Sequence, residues 1–204
     1  MRQGDRTMTR DIYVVLTNTG TSFSKCIGLF TGEPLNHASV AFDEGLKDIY
    51  SFGRKHPMNA FSGGFVREKV WGDLIRDRRR ATPSAVFRCS VELSAFRRMR
   101  KQIQSMSEDP SRYGYNLAGL FTLLAGIDWQ RENAYFCSQF VEHLFASHGE
   151  SLSGKPASLT KPGDFERSKR LETVYRGDLR NYAGVHHHAA SGAPMLAVAA
   201  HKLA

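Results

Sequence analysis

Cys137 stands where an apolar, helix-periodic stretch begins: Tyr135-Phe136 precede it, Ser138-Gln139 follow, and Phe140, Val141, Leu144 and Phe145 form a stripe. A thiol at a helix N-terminus meets the positive end of the macrodipole and unpaired N–H groups. These favour the nucleophilic thiolate and can hold an oxyanion. The bland alternative is a small buried hydrophobe. Far upstream, Asn36 to Phe42 alternates, with His37, Ser39 and Ala41 on one face and Ala38, Val40 and Phe42 on the other. A histidine on a rigid strand can take a proton from a thiol and return it to a leaving group. Alternatively it is a satisfied core or surface histidine, so the case for His37 depends on Cys137.

The elements that must position these groups are legible in outline. Asp11 to Leu16 reads as a buried strand stopped by Asn18-Thr19-Gly20, and Ser22 to Phe30 as a short helix. Lys47 to Gly53 reads as the partner of the His37 strand, joined to it by a hairpin loop at Asp43-Glu44-Gly45. Centred on Glu44, that hairpin pairs 42 with 46, 39 with 49 and 37 with 51, which sets Ser51 across from His37. A one-residue change in loop length would exchange Ser51 for Phe52. Lys55 to Gly64 reads as a loop or flap, and Phe65 to Val70 and Pro83 to Val91 as strands. Ser94 can cap a helix carrying Phe96, Met99, Ile103 and Met106, ended by Asp109-Pro110. Asn116 to Ala125 reads as a buried helix, Phe136 to His148 as the cysteine helix, Pro162-Gly163-Asp164-Phe165 as the opening of a short helix, and Thr173 to Tyr182 as one or two edge strands.

In this order the residues resemble the circularly permuted branch of the NlpC-type papain-like superfamily, which includes YiiX-like bacterial proteins and the lecithin–retinol acyltransferase family. The matching stretches are Asn36 to Phe42, Tyr50 to Arg54, Gly63 to Glu68, Tyr115-Asn116 with Gly119-Leu120, Phe136 to Val141 and Thr160 to Phe165. The resemblance implies an α+β, permuted papain-like fold in which the cysteine helix packs on an antiparallel sheet. It implies Cys137 as nucleophile and His37 as base, and it places the third, orienting polar residue on the strand after the His strand, where the hairpin count puts Ser51. Many relatives carry His or an acid there. The implied activity is that of a cysteine hydrolase, an amidase or peptidase or an acyl-ester or thioester hydrolase or acyltransferase, acting on a peptide, amide or acyl substrate without a cofactor. The alternative is a catalytically silent module of the same fold whose basic surface holds an anionic ligand or partner.

Other side chains offer two readings each. Arg54 could bind a substrate carboxylate or pin its loop, and Tyr13 could donate to an oxyanion or be a core aromatic. Gln139 reads as structural. Composition narrows the field: 204 residues with 41% hydrophobic content can bury a real core, and 28 Lys+Arg against 20 Asp+Glu leave a net charge of +8, which favours anionic partners without fixing a fold. The basic runs Arg76 to Arg80 and Arg97 to Lys101 lack interleaved aromatics and read as solvated faces, so no specific nucleic acid is expected. Cys26, Cys89 and Cys137 show neither a disulfide framework nor zinc spacing, and His186-His187-His188 with His201 read as incidental, so no metal is expected. No transmembrane stretch or export signal is seen, which points to a cytoplasmic protein. The expected organisation is a leader over 1–10, one domain over 11–183 and a tail over 184–204.

Overall fold

The computed structural model describes residues 8–19, 32–54 and 63–182. It is a mixed α+β structure built on one sheet of eight strands, in the order β7-β6-β4-β3-β2-β1-β5-β8. The strands are β1 (Thr9–Thr17), β2 (His37–Ala41), β3 (Ile49–Arg54), β4 (Gly63–Glu68), β5 (Pro83–Glu92), β6 (Gly114–Tyr115), β7 (Ala134–Tyr135) and β8 (Glu172–Asp178). All pairings are antiparallel except the short β6–β7 pair. Four α-helices accompany it among the described residues: α1 (Leu93–Glu108), α2 (Leu117–Leu124), α3 (Cys137–Ala146) and α4 (Pro162–Glu166).

Alternation in the central strands sorts their side chains onto two faces. On one, Ile12, Val14 and Leu16 of β1, Ala38 and Val40 of β2 and Phe52 of β3 join Met99 and Ile103 of α1 and Phe140, Val141 and Leu144 of α3. On the other, Tyr13, Val15, Ala41, Ile49 and Val86 are covered by Leu74, Ile75, Leu179 and Tyr182, which arrive from loops and a short turn. Both faces of β1 are therefore apolar, and from Val14 to Leu16 the strand is fully buried.

Two expectations are corrected in detail. Ser94 does not cap α1: the helix begins at Leu93 with Glu92 at the cap position and no side-chain cap, and the Leu93 N–H donates to the carbonyl of Met8, the residue before β1. The β2–β3 hairpin pairs Val40 with Tyr50 and Ala41 with Ile49, where a loop centred on Glu44 would pair 40 with 48. The turn is longer because the Asp43 carboxylate accepts from the Lys47 and Asp48 N–H groups and Leu46 adopts a positive φ of 53°. A shift of two residues, unlike one of a single residue, keeps every side chain on its face. The expected helix over Ser22 to Phe30, most of the expected flap and the tail lie outside the described residues.

Phe140 sits at the centre of the larger cluster, within 5.0 Å of the Phe52 ring and 5.9 Å of Phe65, and it is fully buried. Phe140→Ala is expected to cost about 3–5 kcal/mol. Urea unfolding should show the loss as a lower midpoint with an unchanged slope.

Candidate active site

β2 is tied to β1 along its whole length, from Tyr13–Ala41 to Thr17–His37, and β3 is tied to β4 from Ile49–Glu68 to Arg54–Gly63. Between β2 and β3 only Val40–Tyr50 and Ala41–Ile49 pair. Towards the His37 end the two strands therefore follow different partners. α3 contacts both of them, and its first residue, Cys137, comes into interaction range of the His37 ring.

The imidazole is held from its other side. His37 Nε2 lies 2.8 Å from Glu68 Oε1, and Ser39 Oγ donates to Glu68 Oε2 at 2.5 Å while standing 3.3 Å from His37 Nε2. With Nε2 directed at the carboxylate, Nδ1 is the nitrogen left for the thiol. The two side chains are 15% and 8% exposed, so salt screens their attraction weakly. Burial, the largest single influence on each, opposes both charges. For His37 it is outweighed by the Glu68 charge, the thiol contact and the hydrogen bond to Glu68, which together push the imidazolium up to about 10. For Glu68, the His37 charge, hydrogen bonding from His37 and Ser39 and the nearby Ser51 hydroxyl hold the carboxyl below its ordinary range.

The cysteine helix is buried over most of its circumference, and its polar side chains are satisfied by specific partners. Gln139 Oε1 accepts from the Phe136 N–H at 3.3 Å and from Asn116 Nδ2 at 3.2 Å. Asn116 Oδ1 in turn accepts from the Gly119 N–H at the start of α2. Ser138 Oγ donates to Thr160 O at 2.8 Å, and the Glu142 carboxylate accepts from Ser151 Oγ and the Leu152 and Ser153 N–H groups. The Asn116 N–H donates to Tyr135 O, so the parallel β6–β7 pair delivers the chain straight into Phe136-Cys137. Gly119 is required beside this link, because a Cβ there would lie 2.2 Å from Asn116 Nδ2.

The sequence-predicted residues separate into those the fold gathers and those it does not. Cys137 and His37 come together. Ser51 is buried on β3 between them and Glu68's strand; its Oγ makes no well-formed hydrogen bond, yet it lies close enough to Glu68 to favour the carboxylate. The group on the imidazole is Glu68, from one strand further along. Tyr13 packs in the second apolar cluster, four residues along β1 from Thr17, the residue that faces His37, and so about 13 Å away by strand rise. Arg54 closes β3 opposite Gly63, and its side chain lies outside the described residues. Gln139 is structural, as expected. Glu68 and Ser39 were missed as partners, and the available signal was an acid inside an otherwise strand-like run, Phe65 to Val70. No cluster of three metal-binding side chains occurs among the described residues, and none of the described helices is long and apolar enough to cross a membrane. No protein-family model matches the chain, and no curated protein sequence matches it significantly.

A group whose pKa rises on folding stabilises below its unfolded value, and one whose pKa falls stabilises above it. The His37 contribution is thus full below 6.5 and lost as pH rises through about 10, while that of Glu68 is present above 4.5 and lost as pH falls further. Glu68→Ala is expected to destabilise the protein by about 3–5 kcal/mol near pH 6. In urea titrations its deficit relative to the unaltered protein should shrink towards pH 10, whereas a pH-independent deficit would contradict the pairing.

Proposed function

We propose that the protein is a cysteine-dependent hydrolase or acyltransferase, with Cys137 as nucleophile, His37 as acid and base, and Glu68 positioning the imidazole. The observation that carries this reading is the buried His37–Glu68 contact of 2.8 Å within range of a thiol at the first residue of a helix. An imidazolium beside a thiol favours the ionised nucleophile, and the carboxylate fixes which ring nitrogen faces it. Chain order supports the resemblance to permuted NlpC-type papain-like proteins: histidine on one strand, a carboxylate following, and a cysteine at the head of a later helix.

In this reading the Cys137 sulfur attacks the carbonyl carbon of an amide, ester or thioester. The carbonyl oxygen becomes an oxyanion facing the N–H groups of the first turn of α3, Cys137's own among them. His37 gives its proton to the leaving amine, alcohol or thiol as the bond to carbon breaks, leaving an acyl-thioester on Cys137. Water, or an acceptor alcohol or amine, then attacks that thioester while His37 takes its proton, and the thiolate departs. Ser39 and Glu68 move no proton; they hold the ring through the cycle.

The second reading, a silent binding module of the same fold, is favoured by the burial of Cys137, which is 4% exposed. Alkylation separates the two. Cys89 is an internal control, since burial in the core pushes its thiol up. With iodoacetamide at pH 6, Cys137 is expected to react at least about tenfold faster than Cys89, and His37→Ala to remove that advantage. Glu68→Gln should slow the reaction less than His37→Ala. Equal, slow labelling of Cys137 and Cys89 in the unaltered protein, read by peptide mass spectrometry, would favour the silent module.

A further inference from the structure

α2 turns most of its apolar surface outward. From Tyr113 to Ile127 the sequence carries no charged residue, in a chain whose net charge is +8. Only Gly119 and Leu123 of this helix are buried. Leu117, Leu120, Phe121 and Leu124 form one helical stripe that is half-buried at its start and exposed at its end, with Phe121 63% exposed. The chain beyond continues the surface, since Ile127 is 55% exposed and Trp129 is exposed as well. Of the six large apolar side chains exposed among the described residues, four lie in this stretch, so they form a patch, whereas Met8 and Val174 stand singly.

The patch is a fixed ridge. Gly126, at a positive φ of 70°, closes the helix: its N–H donates to Leu123 O and the Ile127 N–H to Thr122 O, the paired bonds of a Schellman ending. Asp128 accepts from Ser158 Oγ, which anchors the chain between Ile127 and Trp129. Side chains carried on a fixed backbone lose less freedom on docking. Beside the ridge the same face is hollow: a groove of about 440 Å³ lies between α2 and the β6–β7 pair, lined by Tyr115, Leu117, Ala118, Phe121, Arg131 and Ala134. A ridge and a hollow on one face complement each other under a two-fold axis, which sets each copy's ridge in the other's hollow.

Charge at the edge of the patch favours the same occupant. Asp128, Arg131 and Glu132 are exposed and carry both signs, and Arg131 and Glu132 form no ion pair among the described residues. An anionic bilayer would meet two acids here and no Lys or Arg on α2. A second copy instead sets Arg131 of each against Glu132 of the other. Phe121, Leu124, Ile127 and Trp129 leave roughly 350–400 Å² of side chain open, with about 150–250 Å² for a whole aromatic one. Two copies would bury twice that from these residues alone, and the rest of the stripe brings the contact to the ~1,000 Å² that separates a specific interface from incidental packing.

We propose that α2, its Gly126 ending and the groove beside β6–β7 form the interface of a reversible two-fold homodimer of this chain. The proposal does not rest on the thiol chemistry above, and Cys137, His37 and Glu68 take no part in it.

Sedimentation velocity of the full chain from about 1 to 200 µM is expected to show a monomer–dimer equilibrium. Phe121→Ser with Ile127→Ser should weaken it at least tenfold, and the urea midpoint of this variant checks that it remains folded. Arg131→Glu and Glu132→Arg should each weaken self-association at least threefold, whereas an equimolar mixture of the two should associate more tightly than either alone, because every facing pair is then of opposite sign. A monomer at every concentration, or a dimer indifferent to both sets of changes, would overturn the proposal. So would a monomer that floats with phosphatidylcholine vesicles and loses this in the double serine variant, since the face would then belong to a membrane. Loss of thiol reactivity in His37→Ala with the dimer intact would leave the proposal standing, so the two readings fail separately.

Discussion

An imidazole and a carboxylate 2.8 Å apart, one largely and the other almost fully withdrawn from solvent, set the terms for the surrounding structure. Neither ion could be placed there alone, because losing hydration in the interior costs several kcal/mol per charge. Each offsets the other's burial, and Ser39 adds a hydrogen bond of 2.5 Å to the second carboxylate oxygen. The arrangement works only if β2 and β4 are rigid relative to each other. The sheet provides this indirectly, since β2 is locked to β1 and β3 to β4, with Val40–Tyr50 and Ala41–Ile49 tying the two halves.

The same economy governs the cysteine helix. α3 carries Ser138, Gln139 and Glu142 into the interior, an expensive choice for a helix that could have been apolar throughout. Each of these polar groups is spent on locating the helix rather than on its internal stability. Gln139 caps the N-terminus and reaches Asn116, Ser138 fastens the turn ending at Thr160, and Glu142 gathers the N–H groups of Leu152 and Ser153. Three separate segments therefore hold α3, two of them at its first turn and the third, through Glu142, at its second. A helix start that must stand against one imidazole needs such over-determination, because apolar contacts alone are not directional.

Periodicity made the strands, α1 and α3 readable, because one-sided burial imposes a period of two or 3.6 on any chain. His37 and Cys137 were readable as a candidate pair because each sits at a position with chemical meaning, a strand face and a helix start. Glu68 was not, for a geometric reason. Hairpin reasoning looks directly across to the neighbouring strand, whereas Glu68 stands opposite Ile49 and reaches His37 diagonally, past β3. The register error had its source in Asp43, whose side chain lengthens the turn in a way that the sequence Asp43-Glu44-Gly45 does not announce. Tyr13 was ambiguous in sequence because it lies on the same face of the sheet as His37; distance along β1 separates it from the thiol.

The diagonal reach gives Ser51 a role different from the one that sequence reasoning suggested. On the face that carries His37 and Glu68, the β3 side chains lying between are Ile49, Ser51 and no side chain at Gly53. A carboxylate crossing from the row of Ile49 towards β2 passes the position of Ser51. A branched or aromatic residue there would occupy the space the carboxylate needs, and a one-residue slip would have put Phe52 in it. Serine is small enough to leave the path open, and its hydroxyl lies near enough to favour the ionised form of Glu68 without competing for the imidazole. The strand between the two side chains thus contributes chiefly by what it does not carry, and the carboxylate that meets the histidine comes from a strand that does not pair with the histidine's own.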